Sequence, residues 1–255
     1  MTNEKIVWKA YKQLKKKLRK GDFVVDKSGV KLVELINYTF RGLDPYQEEL
    51  HFIGKSTNTK YVKKEKAWYD SHDLSINGWV DDVKIWVECA SKDKKRTINS
   101  NYGYLVYDKG NGSQFENCLN TLKKHKESRQ ALILYNRPSI YKDSVENGKR
   151  DFICTLYQHF FIRHNKLICL TTMRSNDAVF GFLNDLPWFF SVYRDMYSKL
   201  KKTYPDLEVG YLDFTPNSFH VYERHFPMLA KMKYNNFFNR CVEKVKGLFK
   251  KEEEK

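Results

Sequence analysis

Residues 152–202 constrain the fold of this chain more than any other segment. Residues 152–162 and 166–174 are rich in β-branched, aromatic and apolar side chains, and only Arg163, His164 and Asn165 separate them. Two β-prone runs joined by so short a polar link pair as a hairpin. Directly afterwards, residues 182–202 carry an apolar and aromatic helical pattern, with Pro187 near enough to the start to read as a first-turn proline. A helix that is apolar over most of its surface is buried, so this one is expected to be the central helix of the domain.

The other segments mix strands and helices without strict alternation. In residues 4–20, Val7, Tyr11, Leu14 and Leu18 form one apolar stripe, which predicts an amphipathic helix ending at Gly21. Asp26, Lys27, Ser28 and Gly29 read as a turn, residues 31–41 as a strand, and residues 60–69 as a helix carrying Glu65 and Trp68. Loops surround a short element at 84–90. Ser113 is placed to cap a helix whose Phe115, Leu119 and Leu122 face inward, followed by a strand at 131–136 and a loop at 141–151. Residues 211–214 read as a strand, 218–226 as a short helix or turn, and 234–251 as a second basic amphipathic helix. No linker and no repeat interrupts the chain, so residues 1–255 are expected to form one α+β domain.

With 41% hydrophobic residues the chain has material for a sizeable core, which excludes global disorder. Lys and Arg outnumber Asp and Glu by 46 to 31, a net charge of +15. An excess of that size suits either a nucleic-acid backbone or small anionic substrates, and composition does not separate the two. No apolar run approaches the ~20 residues of a membrane span, and the first helix lacks a signal-peptide core. The chain is therefore expected to be soluble and cytoplasmic, in the host cytoplasm if viral, with no membrane partner. Cys89, Cys118, Cys154, Cys169 and Cys241 are odd in number and form no CxxC pair, and no HExxH motif occurs. Neither a disulfide framework nor a metal centre is expected.

Three clusters carry possible chemistry. Cys154 lies in a strand-like run opposite a strand ending at Arg174, and a guanidinium beside a thiol favours the nucleophilic thiolate. The same pattern fits a buried inert cysteine. Arg174, Ser175 and Asp177 combine donors suited to phosphate with an acceptor suited to an amidine-like ring edge, or form a strand-end ion pair. His220 and Tyr222, two residues apart, project to one side if extended.

In chain order, DKSG (26–29), NSNYG (99–103), SR (128–129), Cys154, MRSND (173–177), Gly181 with the Asn184-Asp185 pair, and HVY (220–222) resemble the thymidylate synthase superfamily over almost the whole chain. The nearer resemblance is to its bacteriophage deoxycytidylate hydroxymethylase branch, through DFVVDKSGVK, INSNYG, YNRPS, MRSND and VFGFLND. That resemblance implies a single-domain α+β fold with a large mixed sheet at a homodimer interface, packed by helices. It implies that Cys154 attacks C6 of the pyrimidine, and that Arg174 contacts the substrate phosphate and lowers the thiol pKa. Lys27 and Ser175 would add phosphate donors, and His220 and Tyr222 would bind the deoxyribose 3′-hydroxyl. Arg129 would reach the phosphate in the partner subunit; Gln130 stands where a second arginine is usual, leaving Arg137 or lysines to compensate.

Asp185 stands where synthases acting on deoxyuridylate have Asn. A carboxyl that accepts from N4 and shares a proton with N3 suits cytosine, although a carboxylate near a helix N-terminus is also stabilised by the dipole. Ile153-Cys154-Thr155 replaces the usual Pro-Cys-His. Glu65 would deprotonate a water, Asp177 would orient the pterin and an ordered water, and Trp86 and Tyr102 would line the folate and nucleophile pocket. The cosubstrate implied is 5,10-methylenetetrahydrofolate, with no metal, and the reaction is hydroxymethylation of dCMP for modified phage DNA. The alternatives are hydroxymethylation of dUMP, thymidylate synthesis, or a basic nucleic-acid-binding protein on the same scaffold, although nucleic acid is not required.

Overall fold

The computed structural model describes residues 1–235. Helix α1 (Asn3–Lys20) is capped by Thr2 and ends at Gly21, whose φ of 66° is the left-handed conformation glycine adopts readily. Its Val7, Tyr11 and Leu14 are fully buried, as their spacing predicts. Strands β1 (Val24–Val25) and β2 (Lys31–Ile36) pair antiparallel around the DKSG turn. The single strand expected over 31–41 is two strands: Asn37 takes a φ of 51° and turns the chain into β3 (Phe40–Leu43), which belongs to a different sheet. β4 (His51–Ile53) and β5 (Lys55–Ser56) form a small hairpin before α2 (Thr59–Ser71), capped by Asn58.

The short element at 84–90 is α3 (Lys84–Cys89), and an unpredicted helix α4 (Tyr102–Tyr107) follows the NSN of the NSNYG motif. Helix α5 (Gln114–Lys124) buries Phe115, Leu119 and Leu122 as expected. Ser113 stands at its N-cap but with a φ of 48° and no capping hydrogen bond from its side chain. Strand β6 (Leu132–Leu134) is shorter than expected, and the loop expected over 141–151 contains most of α6 (Ile140–Asp143) and a 3-10 turn.

The hairpin forms as its sequence requires. β7 (Thr155–Arg163) and β8 (Lys166–Met173) are joined by His164 and Asn165, both left-handed, as a two-residue turn matching the strand twist demands. After β9 (Asn176–Asp177) comes the long helix α7 (Gly181–Lys201). Pro187 is its seventh residue, not in the first turn, so its missing N–H falls in the helix interior. Strand β10 (Glu208–Pro216) lies parallel to β8 with α7 as the crossover. Gly210 is required there, since a Cβ would stand 2.1 Å from the Leu167 carbonyl oxygen.

The main sheet has the order β3-β10-β8-β7-β6 and is mixed. One face packs on α7, where Phe182 and Phe189 meet Phe214 at ring distances of 5.5 and 5.7 Å. The opposite face leaves Leu132, Leu134 and Tyr211 exposed. Residues 218–226, expected as a helix or turn, begin instead with the extended β11 (Ser218–Tyr222), then turn into α8 (Phe226–Lys231). Strand β11 lies in a second sheet, β1-β2-β11-β9, and β12 (Lys233–Tyr234) pairs with β4. The helix expected over 234–251 lies outside the described residues, except that Tyr234 ends β12 and Asn235 follows it. Met173 ends a strand of the main sheet and Asn176 begins one of the second. Arg174 and Ser175 therefore sit where the chain crosses between sheets.

Candidate active site

Cys154 lies one residue before β7, not inside the strand. Its carbonyl accepts from the Arg174 N–H at 2.8 Å, and a register shift follows at Thr155–Tyr157, a bulge of the kind that re-aims neighbouring side chains. The Arg174 fork is held from several sides: Nη2 donates to the Phe152 carbonyl at 2.6 Å, Nε to the Ile153 carbonyl at 3.2 Å and Nη1 to Ser175 Oγ at 3.0 Å. Nη2 also lies 3.3 Å from Cys154 Sγ, and Ser175 Oγ stands 4.0 Å from the same sulfur. So the structure brings Cys154, Arg174 and Ser175 together. The expectation that Arg174 leaves the thiol below its usual pKa is corrected. Burial raises it, Arg174 pulls it down, and Asp185 and Asp151 add to the rise, for a net upward direction.

A second cluster faces the thiol. Asp185, the fifth residue of α7, accepts from Asn176 Nδ2 at 2.6 Å. Burial, reinforced by Glu65, holds its carboxyl well above the usual range, a shift toward the neutral form. Glu65, 5% exposed on α2, accepts from Tyr61 Oη at 2.5 Å, and Tyr61 Oη accepts from Trp86 Nε1 at 3.0 Å. Burial pushes Glu65 up to about 7 against the pull of hydrogen bonds from Tyr61, Tyr69 and Trp86. Trp86 stands edge-on to Trp68 at 5.3 Å. Tyr102 accepts from Thr155 Oγ1 at 2.8 Å and stacks on Tyr69 at 5.2 Å.

Sign matters for Glu65. Below pH 4.5 its carboxyl is neutral in folded and unfolded chains alike, and between 4.5 and 7 the unfolded chain releases a proton that the folded one retains. The destabilisation is thus absent in acid and complete above pH 7. Glu65→Gln is expected to raise stability by about 3 kcal/mol at pH 8 and by nothing at pH 4. Denaturation midpoints at the two pH values check this; equal effects at both would contradict it.

Helices α2 and α4 hold these residues in register by close backbone contact. A Cβ on Gly103 would stand 1.7 Å from the Tyr69 carbonyl oxygen. Gly103→Ala is expected to cost about 3 kcal/mol, read from its denaturation midpoint, because the contact is with backbone and cannot relax cheaply. Beneath α4, the buried Asp151 accepts from the N–H groups of Asn99 and Ser100 at 2.5 and 2.7 Å and from Ser100 Oγ at 2.6 Å. That anchor fixes the NSN of the NSNYG motif.

The third group lies along β9 and β11. Asp177 Oδ1 accepts from the N–H groups of Val179 and Phe180 at 2.7 and 3.1 Å, and Oδ2 lies 3.5 Å from His225 Nδ1. Because β11 is extended, His220 and Tyr222 share a face, with rings 4.7 Å apart. Burial lowers the His220 pKa, partly offset by Asp177, and favours the neutral imidazole.

The side chains of Lys27 and Arg129 form no hydrogen bond or ion pair with these groups. Lys27 is exposed in its turn, and its side chain makes no hydrogen bond or ion pair among the described residues. Arg129 is exposed before β6, and only its carbonyl is engaged, by His159 Nε2 at 2.9 Å. Arg137 is engaged by Asp143 at 2.7 Å and Asn99 at 3.3 Å. Tyr61, Asn176 and Asp151 were not foreseen. Tyr61 lies four residues before Glu65, a spacing that places both on one helix face and could have identified it. Among the described residues no group of three or more His, Cys, Asp or Glu side chains is gathered to hold a metal ion, and no helix is long and apolar enough to cross a membrane.

The thymidylate synthase family model matches residues 9–240. Deoxycytidylate 5-hydroxymethyltransferase of Enterobacteria phage T6 is 37% identical over 212 residues, covering 82% of this chain and 83% of the relative, and its counterpart in Enterobacteria phage T4 is equally similar. A thymidylate synthase of Francisella tularensis subsp. holarctica is 26% identical over 188 residues, covering 70% of this chain and 60% of the relative. With a model spanning residues 9–240 and a 37% identical relative covering 82% of its length, the chain belongs to the thymidylate synthase family.

Proposed function

We propose that this protein is a deoxycytidylate 5-hydroxymethyltransferase. It transfers a one-carbon unit from 5,10-methylenetetrahydrofolate to C5 of dCMP and adds water, giving 5-hydroxymethyl-dCMP and tetrahydrofolate. The observation that carries this assignment is the buried pair of Asp185 and Asn176 beside Cys154: the Asp185 carboxyl, shifted toward its neutral form by burial, accepts from Asn176 Nδ2 at 2.6 Å. A neutral carboxyl offers one donor and one acceptor, which match the bare N3 and the N4 amino group of cytosine.

Cys154 adds to C6 of the ring, because C5 is too weak a carbon nucleophile until that bond forms. Arg174, fixed by the Phe152 and Ile153 carbonyls, stabilises the attacking sulfur and binds the substrate phosphate. Ser175 and Lys27 add phosphate donors, and His220 and Tyr222 hold the 3′-hydroxyl. The site suits a reduced pterin: half-buried Trp86 offers a flat apolar surface, and Asp177 offers a carboxylate oxygen to ring N–H groups. Bound folate supplies the one-carbon unit. Tyr102 packs the wall beside Cys154. Glu65, poised at about 7, takes a proton from the water that adds to the exocyclic carbon of the pyrimidine, with Asp177 orienting ordered water.

Residues 1–255 form one catalytic domain in this account, acting in the cytoplasm of an infected cell as suits an enzyme resembling those of phages. Two copies pair through the open apolar face of the main sheet, where Leu132, Leu134 and Tyr211 are exposed. Arg129, at the edge of that face, then reaches the partner's phosphate site. Arg129→Ala is expected to raise the KM for dCMP about tenfold while sedimentation still reports a dimer.

Spectroscopic assay of the folate product tests the reaction. Tetrahydrofolate without dihydrofolate is expected with dCMP. Dihydrofolate formation with either nucleotide supports a methylating synthase instead, and DNA binding with a steep salt dependence but no turnover supports a retired scaffold.

A further inference from the structure

Asn176 lies inside the MRSND motif and is 4% exposed. Its Nδ2 donates to Asp185 Oδ2 at 2.6 Å and lies 3.3 Å from Met173 Sδ, while its Oδ1 is buried without a partner. Buried acceptors are almost always satisfied. Here the amide is turned so that its acceptor is stranded and its donor meets the carboxyl. Among the described residues, Asn176 is the one whose side chain hydrogen-bonds the Asp185 carboxyl.

That contact has a consequence for base recognition. A neutral carboxyl carries its proton on one of two oxygens, and the two placements read different rings. With the O–H facing N3 and the bare oxygen facing N4, the pair matches cytosine; with the proton on the other oxygen, it matches O4 and N3–H of uracil. A neutral aspartic acid therefore does not choose a pyrimidine by itself. An N–H directed at Oδ2 favours the bare oxygen there and the proton on Oδ1. The other ionisable groups around Asp185 are Glu65, Tyr61 and Tyr69 from α2, Tyr102 from α4, Asp177 from β9 and Cys154 before β7. None of them is a cation, so none supplies a fixed positive partner.

We propose that Asn176 is the positioning residue for pyrimidine choice: with Oδ1 toward N3 and Oδ2 toward N4 of the bound base, its amide confines the Asp185 proton to Oδ1 and so turns an ambiguous carboxyl into a cytosine reader. The inference rests on the proposed hydroxymethylation of dCMP. It does not require Asn176 to touch the substrate.

Release of tritium from C5 of labelled dCMP and labelled dUMP tests it, with kcat/KM measured across pH for wild type and Asn176→Leu, which keeps the shape and removes the donor. The dCMP-to-dUMP ratio is expected to fall about tenfold, with a changed pH profile for dCMP. Asn176→Ser, which restores a donor, is expected to recover part of the ratio. Asn176→Ala replaces the leucine variant if that one does not fold. A folded variant with wild-type ratio and pH profile overturns the positioning role. Wild type that labilises neither nucleotide overturns the proposed function itself, a result distinguishable from the first.

Discussion

Cys154→Ser is expected to lower hydrogen release from C5 of dCMP by on the order of 10⁴-fold, while leaving the fold intact. Serine keeps the size of the side chain but is a much poorer nucleophile, and nothing nearby could deprotonate it: Arg174 is a cation, and the carboxyl of Asp185 favours its neutral form. The other cysteines among the described residues do not substitute. Cys118 and Cys169 are buried, with pKa values pushed to about 12 for Cys169 and higher still for Cys118. Cys89 is pushed to about 11, again mainly by burial. Because burial also raises the Cys154 thiol, wild-type release is expected to increase with pH until that thiol ionises. Release that survives the substitution would remove Cys154 as the nucleophile.

Asp185→Asn is expected to reverse the pyrimidine preference, changing the ratio of kcat/KM for dCMP over dUMP by roughly 10³-fold. The amide presents a permanent donor and a permanent acceptor in place of a movable proton. With Asn176 turned so that its otherwise unpartnered Oδ1 accepts from the new N–H, the amide donates to O4 and accepts from N3–H of uracil; the opposite rotamer, which would serve cytosine, leaves that Oδ1 stranded. The substitution also removes a buried ionisable group next to Glu65. An unchanged preference would place pyrimidine selection elsewhere in the site.

The elements that could be read directly from the chain are those specified by local pattern. The α1 stripe and the β7–β8 hairpin need only neighbouring residues, and both formed with the expected inward faces. Strand β11 was misread because its partner β2 lies far back in the chain: Phe219 pairs with Leu35 and Val221 with Val33, contacts no local spacing reveals. Cys154 was misplaced by one residue because the strand begins at a bulge. Residue identities in the site were legible from ordered motifs, but their electrostatics were not. Arg174 alone predicts a lowered thiol pKa, and only the packing discloses burial together with two nearby carboxyls that reverse it. Asn176 was hidden for the same reason, since its importance lies in where its amide points.

The central claim is that water, not hydride, completes the reaction on a cytosine ring. The most direct measurement is the mass of the nucleotide formed from dCMP and 5,10-methylenetetrahydrofolate in oxygen-18 water. The account predicts 5-hydroxymethyl-dCMP carrying solvent oxygen, with tetrahydrofolate released. A 5-methyl nucleotide accompanied by dihydrofolate would contradict it.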